Sequence, residues 1–486
     1  MKVRSPMVIW KYLPQKNCGE CGEKTCSAFS LLLKGKKKRL EECTPLFNED
    51  EYADKRKQLK ELLAPAIREV EIGVGARACK IGGEEVMHRH ELTFFNRVAL
   101  VYDVWDTMDE AGLRERVRRI TNWKKFYIGD FLRVDAIAVR SVAEDARTFA
   151  ECVKMTAEET DLPLVLCSFD SEMLEEGLMV VADSNPLLYA ADKTNWKSVL
   201  RLAMDYNVPV TISSSDLDTL SSLAATFSSA GVKDIVLNPE PGTNSRDDEF
   251  ALADTFSKLI RIRRAGIVDE NKVVAYPLMS MSIPRTAREA GLEEVNAGEG
   301  GNALDASYRE AIHATMSTIK YADIMILHSI EPHSLIAVRT LAANIYTDPR
   351  RPINVASGLR ELGTPTEDSP LFLTVNFALT YYTVESDINS NKIDSYLLVV
   401  DTDGMGVEAA VAGGQLTAEA IKAAIESCSV GDKVKHKTIV IPGLAARLSG
   451  EIEDVTGWNV LVGPRDSGMI PGWMDNNWPP EVETDL

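Results

Sequence analysis

Between residues 92 and 350, short β-rich runs alternate regularly with amphipathic helical stretches. Such alternation predicts parallel strands joined by crossover helices. The β-rich runs lie at residues 92–104, 131–139, 162–169, 178–182, 208–213, 234–237, 273–279 and 323–328. Eight strand–helix units in a segment of this length favour a closed (β/α)8 TIM barrel over an open sheet. The fourth run is short, so a strand count that differs by one remains open.

A second, smaller α/β segment follows from Pro352 onward. Three β-rich runs, at residues 395–402, 438–442 and 459–462, alternate with helical stretches. Three or four strands favour an open, doubly wound sheet, in which ligands bind beyond the carboxyl ends of the strands. Glycines occupy those positions, at Gly404, Gly406, Gly443 and Gly463. Glycine there allows a large flat ligand or a phosphate group to approach the backbone closely.

Four of the eight cysteines lie close together near the N-terminus, with the spacing C-x2-C-x4-C-x16-C. They are Cys18, Cys21, Cys26 and Cys43. Thiolates are soft ligands that suit iron–sulfur clusters and zinc. Zinc ribbons usually contain two separated C-x2-C pairs, whereas this segment contains one pair and two further cysteines. The pattern favours a 4Fe–4S cluster, and structural zinc or unligated thiols are the alternatives.

These patterns predict three domains: a cluster domain at residues 1–60, a TIM barrel at residues 61–350 and an α/β domain at residues 351–486. A charged helical stretch at residues 50–63 serves as the first linker. The basic run at residues 34–39 lies between the third and fourth cysteines of the motif. It is either a solvated helix face or a source of positive charge for an anionic cluster or an acidic partner.

Composition narrows the possible partners and compartment. The chain carries 54 Lys and Arg against 73 Asp and Glu, a formal net charge of −19. Such a surface repels phosphate backbones, which argues against nucleic acid as a partner. The apolar runs are strand-sized and shorter than the roughly 18 residues of a membrane helix. With no signal-peptide pattern at the N-terminus, we expect a cytoplasmic protein that does not enter the membrane.

Four motifs carry a family resemblance. They are YLPQKNCGECG at residues 12–22, NFALTYYTVESD at residues 376–387, IPGLAARL at residues 441–448 and VGP at residues 462–464. Together they resemble the large subunit of the corrinoid iron–sulfur protein family, in particular its archaeal form, the gamma subunit of the acetyl-CoA decarbonylase/synthase complex. The resemblance extends over essentially the whole chain.

The resemblance implies a function as a methyl carrier. In this family, a 4Fe–4S domain, a TIM barrel and a C-terminal corrinoid-binding domain follow one another. The corrinoid cobalt accepts a methyl group from a methyl-tetrahydropterin, with tetrahydrosarcinapterin or tetrahydrofolate as the pterin. It passes the methyl group to the nickel cluster of acetyl-CoA synthase, or the reverse, and the iron–sulfur cluster serves in reductive reactivation. Implied partners are a small delta subunit, which completes the corrinoid site in a heterodimer, and the acetyl-CoA synthase and CO dehydrogenase subunits. The implied activity is that of a methyltransferase.

The resemblance also implies a set of corrinoid-binding residues near the junction of the last two domains. These are Thr347, Thr374, Asn376, Phe377, Thr380, Gly463, Pro464 and Arg465. Helix-face packing is the alternative for Phe377 and the favoured interpretation for Leu379, and Arg465 is alternatively a surface charge. None of the six histidines lies in a D-x-H-x-x-G motif, and the resemblance implies a base-off cobalt that no protein histidine ligates.

Two further hypotheses compete with the methyl carrier. In the first, the chain is an electron-transfer or assembly subunit that holds a cluster and no corrinoid. In the second, pterin chemistry takes place in the barrel, where Glu240 follows a strand. His328 lies at the end of the last barrel strand, and His88 and His90 form a possible metal pair, but a structural role is the favoured interpretation of all three.

One cobalt has to reach a pterin, a nickel cluster and a reductant. We therefore expect the C-terminal domain to move as a unit. Residues 349–352 and 363–370 are rich in Pro, Gly and charge, which is typical of linkers, and they are the two alternative positions predicted for the hinge.

Overall fold

The structure is a computed structural model, and it describes residues 5–35, 38–88, 91, 94, 96–239, 248–282, 303–345 and 353–479. The chain divides into two compact units. The first comprises Met1–Trp123 and Val134–Ala342, and the second comprises Lys124–Arg133 and Ala343–Leu486. The cysteine segment and the barrel strands belong to the first unit, and the domain boundaries at residues 60 and 350 stay predictions.

The cysteine segment of the first unit is helical. Its helices are α1 (Pro6–Tyr12), α2 (Cys26–Lys34), α3 (Thr44–Asn48) and α4 (Ala53–Leu63). Hydroxyl caps start the first two, because the Ser5 and Thr25 side chains accept hydrogen bonds from backbone N–H groups in the first turn. Ile9, Phe29 and Leu46 belong to the small buried core between these helices. This core supports the loop that carries the first two cysteines.

The barrel of the first unit is built from eight parallel strands. After an antiparallel hairpin of β1 (Glu69–Ile72) and β2 (Cys79–Gly82), the barrel strands are β3 (Ala99–Trp105), β6 (Ala136–Arg140), β7 (Leu164–Cys167), β8 (Leu187–Ala191), β9 (Val210–Ser213), β10 (Ile235–Asn238), β11 (Met279–Met281) and β12 (Ile324–Leu327). Their order is β10-β9-β8-β7-β6-β3-β12-β11. A parallel bridge between Leu237 and Leu278 joins the two ends. The (β/α)8 prediction is therefore confirmed.

The helices between these strands start at predictable caps. They are α5 (Glu110–Asn122), α6 (Ala146–Glu159), α7 (Ser171–Val181), α8 (Trp196–Asp205), α9 (Leu217–Ala230), α10 (Asp248–Ile267), α11 (Ala303–Ile319) and α12 (Pro332–Ile345). Four of them follow an aspartate whose carboxylate accepts a hydrogen bond from a first-turn N–H group: Asp109, Asp145, Asp170 and Asp216.

The prediction of a fourth strand at residues 178–182 is wrong. Its first part is the C-terminal end of α7, which ends at Val181, and the fourth barrel strand is β8, Leu187–Ala191. The run is apolar because Leu178 and Val181 lie on the buried face of an amphipathic helix. Short apolar runs of this kind do not distinguish a helix from a strand.

The barrel interior is apolar at its amino-terminal end. Ala99, Ala136 and Ile324, at the first positions of their strands, belong to one buried cluster that also contains Val70 and Ile81 of the β1–β2 hairpin. The hairpin therefore covers the amino-terminal end of the barrel.

The second unit contains a five-stranded sheet. Its strands are β13 (Gly358–Leu362), β14 (Leu371–Val375), β15 (Ser395–Val400), β16 (Thr438–Ile441) and β17 (Asn459–Val462), in the order β13-β15-β14-β16-β17. β13 is an antiparallel edge strand, and the other pairs are parallel. The helices are α13 (Ala378–Ser390), α14 (Val407–Gly413), α15 (Ala418–Ser427), α16 (Ser449–Thr456) and α17 (Ile470–Asn477). The predicted open α/β sheet is confirmed, with β13 and β14 added to the three strands identified from the sequence.

One predicted hinge is wrong. Residues 363–370 connect β13 to β14 within the sheet, and the Thr364 N–H donates to Asp394 Oδ1 at 2.9 Å. The other predicted hinge, residues 349–352, lies outside the described residues.

The second unit also contains an antiparallel hairpin of β4 (Lys124–Tyr127) and β5 (Asp130–Arg133), in which the Phe126 ring lies 6.2 Å from that of Tyr382. Across the part of the chain that the structure describes, no helix is long and apolar enough to cross a membrane.

Candidate functional site

The four cysteines of the N-terminal motif border one pocket. Cys18 and Cys21 lie on the loop between α1 and α2, Cys26 is the first residue of α2, and Cys43 is the residue before α3. Pro14, Phe29 and Pro45 complete the apolar part of the lining. Among the described residues, no group of three or more His, Cys, Asp or Glu is arranged for a single metal ion. A shared pocket bordered by four soft donors fits an iron–sulfur cluster.

Backbone geometry explains how the cysteine loop folds around this pocket. Gly19 and Gly22 have φ angles of 80° and 83°, in the left-handed region that glycine adopts without strain. The Gly22 N–H donates to Gly19 O at 2.9 Å. Asn17 Oδ1 accepts a hydrogen bond from Cys26 N at 2.8 Å, which ties the loop to the start of α2. The two glycines therefore let the loop curl back toward the pocket.

The electrostatics of the pocket depend on its burial. Burial, with a smaller contribution from the neighbouring Cys26, Cys21 and Cys18 sulfurs, raises the pKa of the Cys43 thiol to about 11. Coordination to a metal is what ionises such a thiol.

Lys38 donates from Nζ to Cys21 O at 3.1 Å and to Glu42 Oε2 at 2.7 Å. One residue of the basic run therefore contacts the cysteine loop, and Lys36 and Lys37 lie outside the described residues.

A second cavity, of about 480 Å³, lies within the second unit. Phe372, Leu373 and Thr374 of β14 and Val440 and Ile441 of β16 form its floor. β14 and β16 are neighbours in the sheet. The strand that follows β14 in sequence, β15, lies on one side of this pair, and the strand that follows β16, β17, lies on the other side. The cavity therefore lies at the topological switch point of the sheet, where ligands of open α/β folds bind.

The structure brings together five of the eight residues predicted to bind the corrinoid. Thr374, Thr380, Gly463, Pro464 and Arg465 all line the cavity. The Thr374 hydroxyl is buried and has no hydrogen-bond partner among the described residues. Buried hydroxyls are normally paired, and this one is an exception among the described residues.

Asn376 and Phe377 are not part of the lining. Asn376 is buried and holds the loop after β15: its Oδ1 accepts hydrogen bonds from Thr402 N at 2.9 Å and Gly404 N at 3.0 Å. Its Nδ2 donates to Asp401 Oδ1 at 2.8 Å. Phe377 immediately precedes α13 and packs against the buried apolar cluster of the sheet. Asn376 thus shapes the carboxyl edge of the sheet indirectly. Thr347 lies outside the described residues.

Helix-face packing is the wrong interpretation of Leu379. Its side chain is 54% exposed and lines the cavity together with Thr383 and Val384 of the same helix. Sequence reasoning also missed residues from distant segments: Leu373, Val407, Pro442, Leu444, Asp466, Ser467 and Ile470. Pro442 and Leu444 lie inside the IPGLAARL motif, which was the available signal for them.

Gly443 and Gly463 were expected to let a ligand approach the backbone, but in the structure they let two loops approach each other. A Cβ on Gly443 would lie 2.8 Å from Gly463 O and 2.9 Å from Arg465 N. The Gly443 N–H donates to Pro464 O at 3.0 Å, and the Gly463 N–H donates to Ile441 O at 2.8 Å. Both glycines therefore allow the loops after β16 and β17 to pack against each other, which places Arg465 at the rim.

The carboxyl-terminal end of the barrel holds a buried charge network. Asp103 accepts hydrogen bonds from Arg116 at 2.9 Å, Arg140 at 2.8 Å and His328 Nδ1 at 2.8 Å. Burial opposes ionisation of Asp103, but His328, Arg116 and Arg140 outweigh it and hold its pKa below the usual value. Nearby, burial raises the pKa of Glu310 to about 8. His328 is thus paired inside the barrel, and Glu240 and His90 lie outside the described residues.

Comparison with known proteins identifies the family. A family model described as "CO dehydrogenase/acetyl-CoA synthase delta subunit" matches residues 69–474, and one described as "Putative Fe-S cluster" matches residues 13–45. The gamma subunit of the acetyl-CoA decarbonylase/synthase complex of Methanosarcina acetivorans is 52% identical over 99% of this chain and 100% of its own length. The chain belongs to this gamma-subunit family. The Archaeoglobus fulgidus gamma subunit is 49% identical over 99% of this chain and 100% of its own length.

The resemblance inferred from the motifs is therefore confirmed at the level of the gamma-subunit family. Among solved structures, dihydropteroate synthase from Thermus thermophilus is similar to 57% of this gamma-type chain, with 97% of that structure covered, 17% identity and a TM-score of 0.37. The synthase from Xanthomonas albilineans, in complex with 7,8-dihydropteroate, covers 56% of the chain and 98% of its own length, with 12% identity and a TM-score of 0.38.

Proposed function

We propose that this gamma-type chain is a corrinoid iron–sulfur methyl carrier. A 4Fe–4S cluster occupies the cysteine pocket, and a corrinoid occupies the cavity of the second unit. When bound, the corrinoid supplies a cobalt that takes a methyl group from a methyl-tetrahydropterin and gives it to the nickel cluster of acetyl-CoA synthase, or the reverse. The activity is that of a methyl-tetrahydropterin:corrinoid protein Co-methyltransferase within a multi-enzyme complex.

The observation that supports this proposal most strongly is the cavity at the switch point of the sheet, in a chain of the gamma-subunit family. Its apolar residues, among them Leu379, Val407 and Leu444, suit the body of a large macrocycle. The hydroxyls of Thr374, Thr380 and Thr383 suit the amide groups at the edge of a corrin. The described lining residues offer no imidazole, so none of them would ligate the cobalt; the base-off state of the corrinoid enters the proposal from the family resemblance.

The cysteine pocket has a separate role in the proposal. Cys18, Cys21, Cys26 and Cys43 would hold the cluster, and a cluster bound there would supply electrons for reductive reactivation of the corrinoid. Cys18 is exposed whereas Cys26 and Cys43 are buried, so Cys18 would hold the cluster from the solvent side of the pocket. An exposed edge is what electron exchange with a partner requires.

We further propose a small delta-type subunit as the heterodimer partner. A corrin ring with its amide arms is too large for one small sheet to enclose, so a second protein surface has to cover the part that protrudes. Sedimentation of the purified protein should show a heterodimer. A monomer that retains tightly bound cobalt would contradict the shared site.

Elemental analysis tests the central proposal. Iron, sulfide and cobalt should be present in the freshly isolated complex, at about four iron and one cobalt per chain. The reduced protein should give the EPR signal of a 4Fe–4S cluster. Iron and sulfide without cobalt would instead support the alternative, a cluster-bearing electron-transfer or assembly subunit without a corrinoid.

A further inference from the structure

A lysine of the basic run links the cysteine loop to the segment that carries Cys43. Lys38 Nζ donates to Cys21 O at 3.1 Å and to Glu42 Oε2 at 2.7 Å. Glu42 immediately precedes Cys43, and its other carboxylate oxygen accepts a hydrogen bond from Arg39 N at 2.7 Å. Lys38 therefore bridges two segments that each carry a cysteine of the pocket.

The contact with Cys21 fixes one peptide group of the loop. The carbonyl oxygen of this peptide belongs to Cys21 and accepts the hydrogen bond from Lys38. Its N–H group belongs to Gly22 and donates to Gly19 O at 2.9 Å. A Cβ on Gly22 would lie 3.5 Å from Lys38 Nζ, so the ammonium group approaches the glycine backbone closely. The peptide that follows the second cysteine of the motif is thus held at both ends.

The ammonium group is the end of the Lys38–Glu42 pair that contacts the loop. Cys21 lines the pocket, so the positive charge of Lys38 lies next to the pocket wall. The Glu42 carboxylate instead accepts hydrogen bonds from Lys38 Nζ and Arg39 N. The Lys38 side chain is 28% exposed, so water and salt screen its charge only in part.

Lys16 lies at the same pocket but is arranged differently. It lines the pocket, and its Nζ donates to both carboxylate oxygens of Glu49, at 2.8 Å and 2.6 Å. Its side chain is 42% exposed. A cation that faces one carboxylate and is open to water exerts little net field on its surroundings. Lys38 divides its hydrogen bonds between a carboxylate and the cysteine loop, so more of its charge acts on the loop.

We propose that Lys38 is a positioning residue of the cluster site, which orients the Cys21–Gly22 peptide and raises the reduction potential of the bound cluster. This inference rests on the proposed function, since it requires a 4Fe–4S cluster in the cysteine pocket. Reduction adds an electron to a cluster that four thiolates already make anionic. A nearby cation stabilises the more negative, reduced form, and net charge is among the factors that set these potentials.

A redox titration of the isolated complex tests the proposal. The potential is set with dithionite and mediators, the reduced cluster is measured by its EPR signal, and iron and sulfide are determined in the same samples. The variants are Lys38→Gln, Lys38→Arg and Glu42→Gln. Lys34→Gln is the matched control, because Lys34 is an exposed lysine of the same basic run and lies outside the pocket lining.

We expect Lys38→Gln to lower the ratio of reduced to oxidised cluster at a fixed potential about tenfold, a shift of about 59 mV for a one-electron couple. Lys38→Arg retains the charge and should recover most of the potential. Glu42→Gln keeps an acceptor oxygen for Lys38 but removes a negative charge, so the potential should rise. Lys34→Gln should match the unaltered chain, because an exposed charge is screened.

The sign of the shifts separates this role from a structural one. A lysine that only braces the loop would change the iron content without opposite shifts of the potential in Lys38→Gln and Glu42→Gln. An unchanged or raised potential in Lys38→Gln would overturn the inference. If Lys38→Gln does not retain the cluster, Glu42→Gln decides, and an unchanged or lowered potential there would overturn it. Absence of iron and sulfide from the unaltered chain would instead overturn the proposed function.

Discussion

Replacing Asn376 by alanine should release the loop after β15 without removing any residue that lines the cavity. Asn376 Oδ1 accepts hydrogen bonds from two buried backbone donors, Thr402 N at 2.9 Å and Gly404 N at 3.0 Å. Its Nδ2 donates to Asp401 Oδ1 at 2.8 Å. The loop leads directly into α14, whose first residue, Val407, lines the cavity. Asn376 therefore connects the end of β14 to one wall of the cavity.

The size of the effect follows from the donors that lose their acceptor. A buried N–H group left unpaired costs about 1–3 kcal/mol, and two such groups give a loss of about 2–4 kcal/mol when partial access of water is allowed for. The Thr402 hydroxyl adds little, because its one proton can be donated to Met405 O at 2.8 Å instead. Loss of the bond to Asp401 matters less, since that carboxylate lies on an exposed loop.

Hydrogen exchange measured by mass spectrometry provides the assay. Amides of residues 401–406 should exchange faster in Asn376→Ala by at least tenfold, and the unfolding midpoint of the second unit in denaturant should fall. Amides of the barrel strands serve as the internal control. Unchanged exchange at residues 402 and 404 would refute the assignment of Asn376 as the residue that holds this loop.

Asn376→Asp adds a test of the contact with Asp401. The new carboxyl retains the acceptor for Thr402 N and Gly404 N, which lowers its folded-state pKa, but its burial and the facing Asp401 carboxylate raise that pKa, and we expect the raising effects to prevail. A carboxyl whose folded pKa is raised contributes stability below its unfolded pKa of about 4 and loses it as the pH rises through the folded pKa. The variant should therefore approach the unaltered chain at about pH 4 and be less stable at pH 7. No dependence on pH over this range would contradict the contact.

Three further predictions concern the other parts of the molecule. Cys18→Ala or Cys43→Ala should lose iron and the 4Fe–4S EPR signal but retain cobalt, and unchanged iron content in both would refute the ligand assignment. Asp103→Asn should destabilise the barrel by about 3–5 kcal/mol in denaturant unfolding, because Arg116 and Arg140 lose a buried counter-charge; a midpoint within error of the unaltered chain would contradict this. Cross-linking the second unit to the barrel through engineered cysteines should leave the cofactor content intact and block at least one of the two methyl transfers, and normal rates of both would refute domain movement.

Local patterns made the barrel predictable. Seven of its strands lie in or overlap the β-rich runs, because buried parallel strands are continuous apolar segments between polar caps. β8 was missed since its sequence, LLYAA, contains no β-branched residue. In the second unit, β13 reads GLREL and has neither alternation nor an apolar run, because it is an edge strand that pairs on one side. Its strand character depends on pairing with β15, which local sequence does not encode.

The two candidate sites also differ in how far local sequence predicts them. The cysteine pocket is built from residues within one short segment, so the spacing alone indicates a common ligand. The cavity collects residues from β14, α13, β16 and the loop after β17, up to 98 positions apart from Phe372 to Ile470. The motifs of the family resemblance located Thr374, Thr380 and Arg465, but they did not distinguish Asn376, which holds a loop, from residues that face the cavity. That distinction depends on the direction in which each side chain points, toward the cavity or toward the loop after β15.

The arrangement of charge in the two α/β parts supports different roles for them. At the carboxyl-terminal end of the barrel, Asp103 is neutralised by Arg116, Arg140 and His328. A network whose charges already bind one another has to be broken before those groups can hold a substrate, which costs several kcal/mol. At the cavity of the second unit, the guanidinium of Arg465 and the hydroxyl of Thr374 have no partner among the described residues. Groups left unpaired by the fold are the ones that gain most from a ligand, so we infer that the exposed guanidinium of Arg465 takes part in holding the cofactor at the C-terminal sheet.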